Sequence, residues 1–450
     1  MNVSSYFKNI IHRFNQSEFY QNIASLFTGM FISRMVPFVF ALAIARLYAP
    51  EEFGYFALYL TIASALSIVS TGKYEKAIIL VDEAHERKQI ISFAQRINSA
   101  VNLAALVVVV AIILLIKSED DQKLNLLLVP FYSYFFSSIQ LIRNLYISKK
   151  QFRQLSILEI GRAILTGVLQ CAFFVFPASG LFLGAVAAQM ITFFGFSLKI
   201  NEASLFRFGK FKPEEKVLAK RYIKFPKFSI LSEVMNFISS QLPIFLFKPF
   251  FGDKMLGLYS FSHRYISTPV QLLSVSISSV YIQNAKSLNE NPDTLANSTF
   301  SLFRKQVILG IIPFTILGFW GEQIFSLIFG AEWAFSGYLA QLISPWLFFV
   351  MLGSPLSAIL IVKEKQHVSM WYNILMLIAR ATSLLIGGLI LKDVVSTIVL
   401  YSFTGLVFFA FLTIYSLFLA GVNLKHAILY LLKMMLLIVP FAVIKIWLLK

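Results

Sequence analysis

Charge is scarce in this chain of 450 residues. Only 14% of it is Asp, Glu, Lys or Arg, where a soluble protein carries roughly 25%. Hydrophobic residues fill 58%, and the mean hydropathy is +0.75. Together these values exclude a water-soluble enzyme and point to a membrane. Cysteine is nearly absent: the single Cys171 sits inside an apolar run and excludes an internal disulfide framework. Histidine is also rare, with five in the chain. No Cys/His cluster at metal-ligand spacing, Gly-rich phosphate loop or catalytic-triad spacing appears. The expectation is therefore a protein that is not an enzyme and holds no cofactor or metal. Acidic residues number 22 against 39 basic ones, a net charge of +17. That excess is scattered between apolar runs instead of gathered in one solvated patch, which argues against nucleic acid as a partner.

What the chain does have is long apolar runs. A spanning helix needs about 20 apolar residues. Runs of that size fall at about 21–47, 54–80, 93–116, 124–148, 153–176, 180–200, 226–250, 256–284, 301–329, 335–361, 367–391 and 395–420. A last run, 425–449, is interrupted by Lys433, Pro440 and Lys445; a full crossing and an interfacial or re-entrant helix both fit it. Turn-forming clusters separate the runs at Ala49-Pro50-Glu51, Ser118-Glu119-Asp120-Asp121, Pro177-Ala178-Ser179-Gly180 and Gly252-Asp253. The first twenty residues carry Lys8, His12 and Arg13 without an uninterrupted apolar core, so they do not read as a signal peptide. Phe7, Ile10, Ile11 and Phe14 share a helical face there, the pattern of a segment lying on a membrane surface.

The expected fold is an all-α polytopic integral membrane protein with about 12 core transmembrane helices in two pseudo-symmetric six-helix lobes. Residues 1–20 form an amphipathic segment, 21–200 the first lobe, 201–225 a basic linker, 226–421 the second lobe and 422–450 a hydrophobic tail. The lobes resemble each other locally. Pro50-Glu51-Glu52-Phe53-Gly54 and Phe251-Gly252-Asp253 to Gly257 each follow a proline-containing span, and Gly54 and Gly257 lie 203 residues apart. Lys and Arg are retained on the cytoplasmic side of a membrane. With the N-terminus inside, 26 of them fall in inner segments and their flanks and six in outer ones, so a cytoplasmic N-terminus is expected.

Four arginines remain within spans: Arg34, Arg162, Arg264 and Arg380. Each would cost about 2.5–3.5 kcal/mol facing lipid at mid-bilayer, so each needs water, a counter-ion or an anionic ligand. Glu159 and Arg162 are i, i+3 neighbours and neutralise each other. Arg34 and Arg264 have no acid within a turn, and Glu233 is the nearest candidate partner. Ser260, Arg264, Ser267, Gln271, Ser274 and Ser278 step by threes and fours along one face. The same spacing links Ser229, Ser232, Asn236 and Ser239, and again Ser64, Ser67, Thr71 and Tyr74. Dry helix packing accounts for the small residues alone; the arginines tip the balance to a basic, water-filled cavity for an anionic cargo. Arg34, Arg264, Asn236, Gln241, Gln271, Ser267 and Ser274 are its candidate lining. Glu233, Glu159, Arg162 and Arg380 are candidates for ion coupling or charge pairing, and Pro37, Pro243 and Pro269 for gating bends.

Four ordered stretches resemble a known family. They are Leu47-Tyr48-Ala49-Pro50-Glu51-Glu52-Phe53-Gly54 leading to Lys73-Tyr74-Glu75-Lys76-Ala77, Phe225-Pro226-Lys227-Phe228-Ser229 through Asn236 to Gln241-Leu242-Pro243, Phe251-Gly252 through Tyr259 to Pro269, and Phe329-Gly330-Ala331-Glu332-Trp333 through Ser344-Pro345 and Ser354-Pro355 to Arg380. They resemble the polysaccharide biosynthesis, or Wzx-type O-antigen flippase, family of the multidrug/oligosaccharidyl-lipid/polysaccharide exporter superfamily, which usually has Arg where Lys73 stands. The resemblance implies two lobes around a cavity open alternately to each side. It implies a cargo of oligosaccharide on undecaprenyl diphosphate, moved from the cytoplasmic to the periplasmic leaflet of a bacterial inner membrane. Membrane lipids and a polysaccharide polymerase or chain-length machinery are the partners it implies. It also implies cavity arginines on the first and eighth spans, where Arg34 and Arg264 lie. Lys73-Tyr74-Glu75 and Gln241 carry the motif, with a ligand contact, a helix-end ion pair or a hinge all consistent. Two rivals stand beside it: a drug or cation efflux pump of the same fold, which would more naturally need acidic cavity residues, and a membrane glycosyl polymerase or ligase, which needs catalytic side chains and an outer loop.

Overall fold

The computed structural model describes residues 18–81, 83–115, 125–176, 178–200 and 213–448. Most of the expected amphipathic segment, the Ser118–Asp121 turn and residues 201–212 of the expected linker lie outside the described residues. Among the described residues the protein is helical with no strand. Twelve of its helices are long and apolar enough to cross a membrane. The protein is thus an all-α, multi-pass membrane protein. The chain forms two compact units, residues 1–48 with 55–241 and residues 49–54 with 242–450.

The first unit contains α1 (Glu18–Leu47), most of α2 (Pro50–Ser70), α3 (Ala84–Leu115), α4 (Leu128–Ser148), α5 (Phe152–Ala172), α6 (Gly180–Ile200) and α7 (Pro213–Arg221). The Pro50 ring presets the first helical residue of α2, and Glu52 accepts the Ala49 N–H at 2.7 Å, closing the helix start from within. After α2, Gly72 and Lys73 both adopt φ near +60°, and the chain turns into a short 3-10 helix, Tyr74–Leu80. The core of this unit packs Ile78, Ile90, Ile91, Ile139 and Ile142 against Leu218 and Ala219 of α7. A buried ion pair, Arg96 to Glu215 at 2.5 Å, fixes α7 to α3. The second half of the expected linker therefore belongs to the first unit's core. Beyond Asn102, Leu103, Val107, Leu114 and Leu115 of α3 turn outward, as an apolar helix face does against lipid.

The chain passes to the second unit inside α8 (Ile230–Ser287), after Gln241. This helix breaks at Gly252, with φ 79° and ψ 179°, so each arm reaches the roughly 20 residues that one crossing needs. The break falls at that glycine and not at Pro243 or Pro269, which the helix accommodates. Then follow α9 (Pro292–Phe329), α10 (Ala334–Leu356), α11 (Gln366–Leu385), α12 (Val394–Leu419), α13 (Leu424–Met435) and α14 (Val439–Leu448). Side-chain caps mark three starts: Asn291 accepts from Thr294 N–H, Asp393 from Ser396 N–H and Asn423 from His426 N–H. The bonds to Ser396 hold the Asp393 carboxyl below its ordinary range.

The turn 49–54 joins the second unit through backbone contact. A Cβ on Gly257 would lie 1.7 Å from the Pro50 carbonyl oxygen, and one on Gly54 would lie 2.1 Å from that of Asp253. Only glycine permits this approach at both places. Next to it, Phe53 meets Trp333 and Phe261 edge-on at 4.8 and 5.1 Å, and Phe261 stacks on Trp333 at 3.9 Å. Residues from three of the four family-like stretches thus meet in one buried aromatic cluster.

Candidate functional site

A cavity of about 510 Å³ lies within the first unit, inside the 300–1,000 Å³ range of small-ligand sites. Its walls come from the end of α2 (Ser64, Ser67, Ile68, Thr71), the turn and 3-10 helix (Lys73, Glu75, Lys76), α4 (Phe136, Ser137, Gln140, Arg143, Asn144) and the start of α8 (Glu233, Asn236, Phe237, Ser240). Hydroxyls, amides and charges dominate, in a bundle whose outer faces are apolar. Polar side chains within a spanning bundle are costly and mark pathways or binding sites.

The charges are organised around Lys73. Its left-handed backbone, φ 60° and ψ 14°, is uncommon for a residue with a Cβ and costs about 1–2 kcal/mol. That conformation begins the 3-10 helix and accompanies a buried ammonium. The Lys73 Nζ lies 2.5 Å from Glu233 Oε2 and 3.6 Å from Glu75 Oε1. Lys76 takes the other Glu233 oxygen at 2.6 Å. Thr71 donates its hydroxyl to Glu75. Glu233, with a third of its side chain exposed, therefore joins α8 to Lys73 before the 3-10 helix and Lys76 within it. Tyr74 faces the other way: its hydroxyl donates to the Ala219 carbonyl at 3.2 Å, and burial pushes its phenol up. On the far wall Arg143 lies 3.5 Å from Glu159, which also holds Arg162 at 2.6 Å.

Of the residues singled out in the sequence, Glu233, Asn236, Lys73 and Glu75 come together here, with Glu159 and Arg162 in the charge chain behind Arg143. Arg34 is exposed on α1 and does not line the cavity. Glu233, the acid nearest in expectation to Arg34 or Arg264, pairs instead with Lys73 and Lys76. Gln241 is half-buried and donates to Ser240 at 3.5 Å. Pro37 lies inside α1. Arg264, Ser267, Gln271 and Ser274 sit on the second arm of α8, in the second unit: Arg264 is half-buried, Ser267 and Ser274 are buried and Gln271 is exposed. Arg380 is buried over the rings of Trp346 and Tyr401. His263 stacks between Tyr259 and Trp346.

Sequence reasoning missed Lys76 and the whole α4 wall. The signal was present, because Ser133, Ser137, Gln140 and Asn144 step by three and four along one face.

The polar, ion-paired cavity thus lies among helices that are long and apolar enough to cross a membrane. Solved structures agree on the fold. Lipid II flippase MurJ in an inward closed conformation superimposes with a TM-score of 0.66, at 13% identity, over 94% of this chain and 100% of that one. A MOP superfamily transporter from Pyrococcus furiosus scores 0.58, at 12% identity, over 90% and 96%. The outward-facing form of a multidrug resistance MATE family transporter scores 0.57, at 11% identity, over 89% and 95%. In sequence, residues 43–336 match the family of polysaccharide biosynthesis proteins, and the chain belongs to it. The succinoglycan biosynthesis transport protein ExoT of Rhizobium meliloti (strain 1021) is 21% identical over 314 residues, 66% of this chain. That match spans 60% of the relative's own length.

Proposed function

We propose that the protein is a flippase that moves oligosaccharide units linked to undecaprenyl diphosphate from the cytoplasmic to the periplasmic leaflet. It works by alternating access in a bacterial inner membrane, for O-antigen or other surface polysaccharide assembly. The observation that carries this reading is the cavity itself, in which Lys73, Lys76 and Arg143 stand among Gln140, Asn144, Asn236 and five serine and threonine hydroxyls. Cations suit a diphosphate, and amides and hydroxyls suit a sugar. The lipid tail prefers hydrocarbon and needs no polar wall.

Orientation supports loading from the cytoplasm. The cavity gathers the end of α2, the turn after it, the second half of α4 and the start of α8, which are the helix ends that the Lys and Arg bias assigns to the inner side. Moving two negative charges outward through a potential of 100 mV, negative inside, gains roughly 4.6 kcal/mol. The field alone thus favours export and also favours the return of an unloaded basic cavity. A polymerase or chain-length complex on the outer side would consume the delivered unit.

The test is deletion of the gene in its host, followed by complementation with the wild-type chain or with Lys76→Met. The expected result is lipid-linked oligosaccharide retained in the inner leaflet and loss of surface polymer. Wild type should restore the polymer, and Lys76→Met at least tenfold less at equal protein level. Persistent polymer together with new sensitivity to organic cations would replace this reading with drug efflux.

A further inference from the structure

Glu233 occupies the two lysines that an anionic cargo needs. We infer that it is an internal stand-in for the cargo's diphosphate, displaced from Lys73 and Lys76 when cargo binds and re-paired with them when cargo leaves. This inference rests on the reading of the cavity as a site for a diphosphate-bearing lipid.

The geometry singles out Glu233 over the other carboxylates. Its two oxygens are each taken by one ammonium, at 2.5 and 2.6 Å, so one carboxylate bridges a pair of cations as a phosphate group would. Glu75 is differently held. It is buried, accepts from Thr71 four residues before it, and belongs to the same turn and 3-10 helix as the lysines. Glu159 is likewise buried and shared between Arg143 and Arg162. Glu233 is one-third exposed to the cavity and comes from a separate helix. A carboxylate carries one charge and two acceptor oxygens. A diphosphate carries at least two charges and more oxygens, so it can bridge Lys73 and Lys76 and still accept from the amides of Gln140, Asn144 or Asn236 on the same walls. With Lys73 shared between Glu233 and Glu75, and Lys76 held by Glu233, the cavity offers these two ammonium groups to an anion only when that anion displaces the Glu233 carboxylate. That makes Glu233 a filter against anions with less charge and fewer oxygens than a diphosphate.

The exchange also predicts release. When cargo leaves, Glu233 re-pairs, so the lysines do not hold the diphosphate against departure. Removing the carboxylate should then tighten binding and slow turnover, a split that loss of a merely structural ion pair would not give.

The experiment uses the purified full-length chain with farnesyl diphosphate as probe and inorganic phosphate as the weaker anion. Wild type should bind farnesyl diphosphate and discriminate against inorganic phosphate. Glu233→Gln should bind farnesyl diphosphate about tenfold tighter, lose part of that discrimination, and support less surface polymer in cells at equal protein level. Lys76→Met should bind it at least tenfold more weakly. If wild type binds the probe but Glu233→Gln binds it equally or less well, displacement is overturned while the cavity reading stands. If wild type and Glu233→Gln both fail to bind it, the diphosphate reading of the cavity falls, and the inference falls with it.

Discussion

Arg380 shows how a cation survives in the interior of a membrane protein with no carboxylate beside it among the described residues. Its guanidinium lies 4.8 Å from the ring centre of Trp346 and 5.3 Å from that of Tyr401, and its buried Nε has no hydrogen-bond acceptor among the described residues. Two ring faces thus supply the negative potential that an acid would otherwise give. A desolvated contact of this kind contributes about 2 kcal/mol. If it does so here, Trp346→Leu should cost about 2 kcal/mol more in the wild-type background than in an Arg380→Met background, measured by chemical or thermal melts of the purified protein. Additive effects would mean that the rings do not stabilise the charge. The sequence exposes Arg380 at once, because a mid-span arginine is rare. Its partners are not legible there, since Trp346 and Tyr401 lie on two other helices and look like ordinary apolar filling. The same limit applies to Glu233. Its type and position mark it as a candidate site residue, but only folding reveals that Lys73 and Lys76, and not an arginine, answer it.

Between helices, the decisive contact is the one made by the two glycines. Gly54 and Gly257 open corresponding spans in the two halves of the sequence, and the turn that carries one packs against the helix that carries the other. With a Cβ on Gly257 only 1.7 Å from the Pro50 carbonyl oxygen, alanine there must force two backbones apart. Overpacking of this kind costs about 1–3 kcal/mol even where side chains can yield, and backbone yields less. Gly257→Ala should therefore lower the melting temperature of the purified protein by several degrees. Gly195→Ala on α6, whose Cβ would meet nothing within 4 Å, should leave it unchanged or raise it, since alanine favours a helix over glycine by about 1 kcal/mol. Equal effects at both positions would remove the argument that contact, and not helix propensity, fixes Gly257. The spans themselves were legible because about 20 apolar residues in a row have few other uses. The basic stretch 201–225 looks like the natural divide by charge alone. The compact units part instead after Gln241, because α7 is bound into the first unit by Arg96–Glu215 and the turn 49–54 into the second by its glycine contact. Both ties join residues far apart in sequence, which no local pattern encodes.

At the scale of the whole chain, the path of the last segment decides the parity of the topology. Lys433, Pro440 and Lys445 left the sequence open to either a crossing or a surface helix. Within the second unit, Tyr430 of α13 sits against Phe300 and Phe303, with Arg304 5.2 Å over its ring. Phe441 of α14 meets Trp320. From Phe303 to Trp320, α9 rises about 25 Å at 1.5 Å per residue, most of a hydrocarbon core of about 30 Å. The terminal segment therefore climbs alongside α9 in the same direction, and the 3-10 turn Leu436–Ile438 interrupts it without reversing it. A surface helix would touch α9 at one level only. If α9 crosses the membrane, the turn before it and the end of α14 are expected on opposite sides, with the end of α14 outside where the Lys and Arg bias sets the orientation. In a Cys171→Ser background, a membrane-impermeant maleimide should label a cysteine appended to the C-terminus in intact spheroplasts. Asn289→Cys, in the turn between α8 and α9, should be labelled only after permeabilisation. Labelling of both from the same side would place the terminal segment back at the interface where it began.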